Sequence, residues 1–119
     1  MNFRRFQTGP DPFGRTWDVQ FRWQQNGITI RHADTVDVKF DVWAADEPKQ
    51  ERVIALRHAD LLRLSAANDR ELTDAWCMKL AALHLKHMIV TDEDMERTLV
   101  TVSYAQLAGY EKALEETAV

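Results

Sequence analysis

The chain has 119 residues, of which 45% are hydrophobic and 29% charged, with a formal net charge of −4. This composition excludes a disordered chain and the collagen-like and proline-rich classes, for which four glycines and three prolines are too few. No uninterrupted apolar run exceeds four residues, whereas a membrane-spanning helix needs about 20. We therefore expect one globular domain without a membrane partner.

Residues 1–14 are predicted to form an irregular N-terminal arm, followed by a single α+β domain over residues 15–119. Gly9, Pro10 and Pro12 disfavour regular secondary structure in the arm. Phe3 and Phe6 are nevertheless apolar enough to dock onto the domain.

The first strand of the domain is predicted from strict alternation of apolar and polar side chains over residues 17–24. The dipeptide Asn26-Gly27 follows, and it favours a tight hairpin turn because both residues tolerate positive φ. A two-residue turn there places Phe21 opposite His32, with the apolar positions of both strands on one face. The sequence therefore predicts a hairpin that turns at Asn26-Gly27.

Two more strands are predicted after this hairpin. Apolar residues alternate over Thr35–Ala44, and matching them to the preceding strand requires a three-residue loop that includes Thr35. Residues 53–56 are all apolar, and pairing Phe40 with Leu56 places Val53 opposite Trp43 on the second face of the sheet. The predicted core face is lined by Trp17, Val19, Phe21, Trp23, Ile30, Val38 and Phe40.

A short helix is expected over Asp60–Ala67, where the hydrophobic period changes from that of a strand to that of a helix. Its predicted buried residues are Leu61, Leu62 and Leu64. Further along, Thr98–Val102 is rich in β-branched residues and can add an edge strand. Ser103 and Gln106 then form a capping-box pattern that opens a last helix. The apolar stripe of that helix is Leu107, Tyr110 and Leu114.

The longest helix is predicted to begin at a cap formed by Thr73 or Asp74 and to reach about Ile89. Lys79 and Lys86 share one stripe of this helix, which we interpret as its solvent-facing side. Nearly all its other positions are apolar. A helix of this kind has to pack on two sides, against the sheet and against another helix or a partner.

Together these patterns predict an α+β fold. The sheet is a four-stranded antiparallel β-meander, or a five-stranded one if residues 98–102 add the edge strand, and the helices that follow it pack on one face.

Catalytic and metal-binding signatures are sparse. His84 and His87 are three residues apart, but no third or fourth ligand has a suitable spacing, so we predict no metal site and no cofactor. Cys77 lies about 10 Å from His84 along the helix, too far for a direct thiol–imidazole pair. We interpret Cys77 as a small buried hydrophobe that favours a reducing, cytoplasmic location. If the protein is an enzyme, the candidate catalytic residues are His84, His32 and Cys77.

The leading functional hypothesis rests on a surplus of apolar side chains beyond the needs of one core. Such a surplus favours a subunit interface, most simply one between two copies of the chain. We expect a small non-catalytic interaction or regulatory protein that forms a homodimer or binds another protein. The predicted interface residues are Trp43, Val53, Met78, Leu85 and Ile89.

Two alternatives remain. The chain could bind a small molecule, or be a modest enzyme, with a cavity between the sheet and the long helix near His84, and Trp23, His84 and Tyr104 would contact the ligand. The third hypothesis is nucleic-acid contact through the N-terminal arginines. The acidic net charge and the aspartates interleaved with these arginines argue against it. The arginines concerned are Arg4, Arg5, Arg22 and Arg31.

Overall fold

The computed structural model describes the backbone of residues 2–29 and 32–117, and the side chains of residues 2–26 and 34–116. Within these residues five strands form one sheet in the order β1-β2-β3-β4-β5. Neighbouring strands are antiparallel except β5, which is parallel to β4. The predicted α+β fold is confirmed. Its elements are β1 (Arg5–Thr8), β2 (Trp17–Thr29), β3 (His32–Ala44), β4 (Gln50–Arg57), α1 (His58–Ala67), α2 (Asp74–Thr91), β5 (Leu99–Thr101) and α3 (Tyr104–Thr117).

The predicted N-terminal arm contains a strand, so the expectation of irregular structure is wrong for Arg5–Thr8. This segment is the edge strand β1, antiparallel to β2. Phe6 lies opposite Val19 and is buried, as is Thr8. The strand forms because its alternate side chains fit the helix-covered face of the sheet, and because the prolines come only after it.

The connection between β1 and β2 is a tight loop built on Asp11. Its carboxylate accepts hydrogen bonds from the backbone N–H groups of Phe13 and Arg15 and from the Trp17 indole N–H. Burial opposes ionisation of Asp11, but these bonds outweigh it and hold its pKa well below the usual range. Gly9 is required here, because a Cβ would lie 2.8 Å from the Arg15 carbonyl oxygen and φ is +137°.

β2 and β3 form one long hairpin instead of the two shorter strands predicted between residues 17 and 32. Their pairing extends from Trp17 opposite Ala44 to Thr29 opposite His32. Asn26 and Gly27 are paired within this ladder, so the predicted turn there is wrong. Phe21 lies opposite Phe40, not His32. Ile30 and Arg31, which were also assigned to these strands, lie outside the described residues.

An irregularity in β2 explains why Trp23 is not in the core as predicted. Phe21 pairs with Phe40 whereas Trp23 pairs with the adjacent Lys39, so Arg22 is an extra residue in this strand. A bulge of this kind reverses the alternation of side chains. Trp23 therefore lies on the opposite face from Phe21 and is 38% exposed.

The pairing of β3 with β4 also differs from the prediction. Leu56 lies opposite Val36, and Val53 lies opposite Lys39 instead of Trp43. This register still pairs apolar residues on the helix-covered face, Val36 with Leu56 and Val38 with Ile54, so the hydrophobic pattern alone did not distinguish the two pairings.

The helix termini agree with the sequence. The Thr73 side chain caps α2 by accepting a hydrogen bond from the Trp76 N–H at 3.1 Å. At α3, Ser103 Oγ accepts from the Gln106 N–H and Gln106 Oε1 accepts from the Ser103 N–H, each at 3.2 Å. These reciprocal bonds are the predicted capping box. In α1, Leu62 is 53% exposed, so the prediction that it is buried in the core is wrong.

The helices cover one face of the sheet, and α2 is the central one. It packs against the sheet on one side and against α3 on the other, as its apolar circumference predicted. The molecule is 21 Å thick along its shortest axis, which fits one sheet layer and one helix layer. None of the helices in the described residues combines the length and apolarity needed to cross a bilayer.

Candidate functional site

His84 lies on the buried side of α2 and pairs with a tyrosine of α3. Its Nδ1 is 2.7 Å from Tyr110 Oη, and its Nε2 has no hydrogen-bond partner among the described residues. Burial lowers the pKa of His84 to about 4, and the nearby His87 contributes in the same direction. Burial also raises the pKa of Tyr110 to about 12. At neutral pH this is an uncharged pair that links α2 to α3.

Cys77, also on α2, is enclosed by the core and 1% exposed. Burial, and then the Asp74 carboxylate, raise the pKa of the thiol to about 11. A nucleophilic cysteine needs a depressed pKa and access to its substrate, and Cys77 has neither. The side chain of His32 is outside the described residues. Within the described residues, the predicted catalytic candidates therefore do not come together as a catalytic group.

We expect Cys77 of the folded protein to resist alkylation by iodoacetamide at pH 8. A pKa raised from 9.0 to about 11 leaves about 100-fold less thiolate, and burial slows access further. The measurement is the carbamidomethyl mass increment over time, with the urea-unfolded protein as the reactive control. Rapid stoichiometric labelling of the native protein would show that this part of the core opens readily.

The residues predicted to contact a small molecule are not brought together. Trp23 is on the uncovered face of the sheet, whereas His84 is buried between α2 and α3. Tyr104 begins α3, where the Arg63 guanidinium lies 4.0 Å from its ring centroid. Trp23 therefore lies apart from the His84–Tyr110 pair, on the other face of the sheet.

A groove in the described part of the chain lies on the other side of α2 from the predicted cavity. It has a volume of about 730 Å³ and separates α2 from the last turns of α3, with Phe3 at its edge. Lys79 and Lys86, interpreted from sequence as a solvated stripe, line it. No local pattern indicates that Phe3 and α3 border this stripe, because their approach depends on tertiary packing.

A buried carboxylate beside this groove was also not anticipated. Glu111 of α3 is 0% exposed and accepts hydrogen bonds from Arg70, with Oε1 at 2.8 Å from Nε and 2.7 Å from Nη2. Its Oε2 accepts the Trp76 indole N–H. The position follows from the sequence pattern, since Glu111 falls on the same stripe of α3 as Leu107 and Leu114. This group joins α2, α3 and the segment between α1 and α2.

The outer face of the sheet, opposite the helices, carries aromatic and aliphatic side chains that no described helix covers. Leu99 is 54% exposed and Trp23 is 38% exposed. Val53 is half-buried beside Leu99, its partner in the β4–β5 ladder. Trp43 is half-buried as well, with the Lys49 ammonium 4.6 Å from its ring centroid.

Only part of the predicted interface lies on this outer face. Trp43 and Val53 are there, but Met78, Leu85 and Ile89 are 7%, 0% and 1% exposed within the single chain. Their assignment to an interface is corrected, because all three residues belong to the hydrophobic core of the single chain. The apolar surface that α2 leaves accessible lies at other positions, the half-buried Leu83 and the exposed Val90.

The outer face carries interleaved charges of both signs. By strand register or ion pairing it includes the cations Arg5, Arg22, Lys39 and Arg57 and the anions Asp18, Asp37, Asp41 and Glu51, and Lys49 lies over Trp43 on the same face. Some of these charges are joined directly, with Lys39 Nζ 2.7 Å from Glu51 Oε1 and Arg22 Nε 3.4 Å from Asp41 Oδ2. The face therefore presents cations as well as anions, in a chain whose net charge is −4.

The arginines of the nucleic-acid hypothesis have partners within the protein. The Arg4 guanidinium is 5.1 Å from the Phe21 ring centroid, and that of Arg5 is 6.0 Å from the Trp43 ring centroid. Arg22 pairs with Asp41. Arg31 lies outside the described residues. Nucleic-acid binding stays a prediction.

Neither the metal-ligating side chains nor comparisons with known proteins indicate a functional site. Within the described residues, no group of three or more histidine, cysteine, aspartate or glutamate side chains is arranged to hold a metal ion. No family model, curated protein or solved structure matches this chain.

Proposed function

We propose that this chain is a small non-catalytic interaction protein that forms a homodimer through the outer face of its sheet. The observation that carries the proposal is the absence of a covering helix from that face among the described residues. Helices pack on the opposite face, while aromatic and aliphatic residues on this one remain accessible.

The apolar side chains of the outer face favour a partner whose contacting surface is also a β-sheet. Leu99 and Val53 lie side by side at the β4–β5 edge, and Trp23 lies across Lys39 from Val53. Two sheets packed face to face bury side chains of this kind between them. A second copy of the chain supplies such a surface.

The mixed charges of the outer face favour a second copy over a strongly acidic or strongly basic partner. In a two-fold interface the same patch meets itself, so its charges have to be complementary to one another. A face on which cations and anions are interleaved can meet this condition. Two chains of net charge −4 repel each other overall, and the cations of this face reduce that repulsion at the interface.

The non-catalytic part of the proposal is supported by the burial of the two described candidate groups. His84 and Cys77 are 3% and 1% exposed, which leaves neither available to a substrate. The free, buried thiol of Cys77 also supports the proposed cytoplasmic location, where thiols stay reduced.

The proposal is tested by sedimentation velocity and native mass spectrometry of the full chain over a range of concentrations. We expect a dimer, and we expect Leu99→Lys to raise its dissociation constant at least about tenfold, because the charge would be desolvated twice in a two-fold interface. Leu62→Lys is the matched control, since Leu62 is 53% exposed and Leu99 54%, but Leu62 lies on α1.

Two results would overturn the proposal. One is a wild-type protein that is monomeric at every concentration up to about 100 μM, where even a weak dimer would be populated. The other is a dimer that Leu99→Lys and Leu62→Lys affect equally, which would place the interface elsewhere.

A further inference from the structure

The groove between α2 and α3 has the size of a small-molecule site. Its volume of about 730 Å³ falls in the range of about 300–1,000 Å³ typical of ligand pockets. It lies in the helix layer, away from the outer face of the sheet, so its use is independent of the proposed dimer.

Apolar side chains form much of the groove. Leu83 contributes from α2 and Leu114 from α3, while Phe3 contributes from the N-terminal segment. Leu83 and Phe3 are only partly buried in the core, so they present apolar surface towards the groove. This lining suits an aliphatic or aromatic body better than a fully polar ligand.

The charges of the groove are predominantly positive. Lys79 and Lys86 lie on one stripe of α2, two helical turns and about 10 Å apart, with Leu83 between them. No ion pair joins either lysine to a carboxylate of the described residues. Arg70 also lines the groove but is bound to Glu111, and the lining carboxylate is that of Glu71.

We infer that this groove binds a small amphiphilic anion, an aliphatic carboxylate of medium chain length. The carboxylate pairs with Lys79 or Lys86, and the hydrocarbon chain covers Leu83 and the apolar walls. A solvated lysine stripe would explain the charges alone. The apolar lining that Phe3 and Leu114 add beside that stripe is what favours a ligand with both characters.

The test is isothermal titration of the full chain with decanoate below its micelle concentration, compared with decylammonium, which has the same chain and the opposite charge. We expect decanoate to bind and decylammonium to bind at least about tenfold more weakly, because one is attracted and the other repelled by the lysines. Amide chemical shifts should change along α2 around Leu83.

Lysine-to-glutamine substitutions test how much the lysine charges contribute to decanoate affinity. Lys79→Gln and Lys86→Gln should each weaken decanoate binding about two- to fivefold, the effect of one partly exposed ion pair, and the double variant should weaken it more. Lys112→Gln is the matched control, because Lys112 is an exposed lysine of α3 outside the groove lining, and it should leave the affinity unchanged.

Three outcomes would overturn the inference: no decanoate binding to the wild-type chain, equal binding of decanoate and decylammonium, or equal effects of the groove and control substitutions. A loss of dimer in the lysine variants would instead assign the groove to a second copy. Leu99→Lys should bind decanoate normally, so failure of the proposed dimer and failure of this site are distinguishable.

Discussion

Replacing Glu111 with alanine is expected to destabilise the protein by about 1–3 kcal/mol, the cost typical of leaving a buried hydrogen-bond donor without its partner. The substitution leaves the Trp76 indole N–H without its acceptor and releases the Arg70 guanidinium from its carboxylate. It also removes side-chain volume from the contact between α2 and α3. Since domains of this size are stable by about 5–15 kcal/mol, urea unfolding followed by circular dichroism should resolve the effect easily.

Glu115→Ala is the matched control, because Glu115 is exposed one turn further along the same helix. We expect it to change the free energy of unfolding by less than about 0.5 kcal/mol. Glu111→Gln should fall between the two, since the amide keeps an acceptor for Trp76 but loses the charge that pairs with Arg70. A cost for Glu111→Ala below about 1 kcal/mol would mean that the carboxylate is hydrated in solution and does not hold the helices together.

The parts of the fold that were predicted correctly are those encoded by neighbouring residues. The Ser103–Gln106 capping box and the Thr73 cap depend on side chains reaching the backbone of the next turn, so the local sequence is sufficient to locate them. The all-round apolar character of α2 likewise predicted that it would pack on two sides. The α+β class followed from the change of period at His58.

The strand pairings were harder because they depend on distant partners. Asn26-Gly27 has the composition of a tight turn, yet it is paired within the long β2–β3 ladder, so tertiary pairing overrides the local preference. The extra residue Arg22 leaves the alternation of the sequence intact while reversing the side chains in space. Periodicity therefore assigned Trp23 to the wrong face.

The candidate site was predictable only in part, for a related reason. The outer face and its residues Trp43 and Val53 followed from alternation along β3 and β4. Assigning Met78 and Leu85 to an interface failed because the sequence does not specify how much surface α3 covers. The groove depends on three segments distant in the chain, and its lysines carry no local signal that they border an apolar cleft.

The stability of the protein is expected to fall as the pH is lowered from about 6.5 to about 4 because of His84. Its pKa is lowered from 6.5 to about 4, chiefly by burial and then by the charge of His87, while Glu93 and Asp94 oppose the shift. Between these values the unfolded chain binds a proton that the folded chain does not, so acidification favours unfolding. Above pH 6.5 both states are neutral at this residue and its contribution to stability is complete.

The shift corresponds to a loss of up to about 3 kcal/mol on reaching pH 4. His84→Gln should remove most of this dependence, because glutamine keeps a polar partner for Tyr110 but does not titrate. His58→Gln is the control for the loss of one histidine: His58 begins α1 and is not part of the His84–Tyr110 pair, so the slope of His84→Gln is compared with the slope of this variant. Urea unfolding at a series of pH values measures the slopes, and a nuclear magnetic resonance titration of the His84 ring gives its pKa directly. A ring that titrates near 6.5 in the folded protein would mean that water or a proton reaches Nε2, and the dependence assigned to His84 would then be absent.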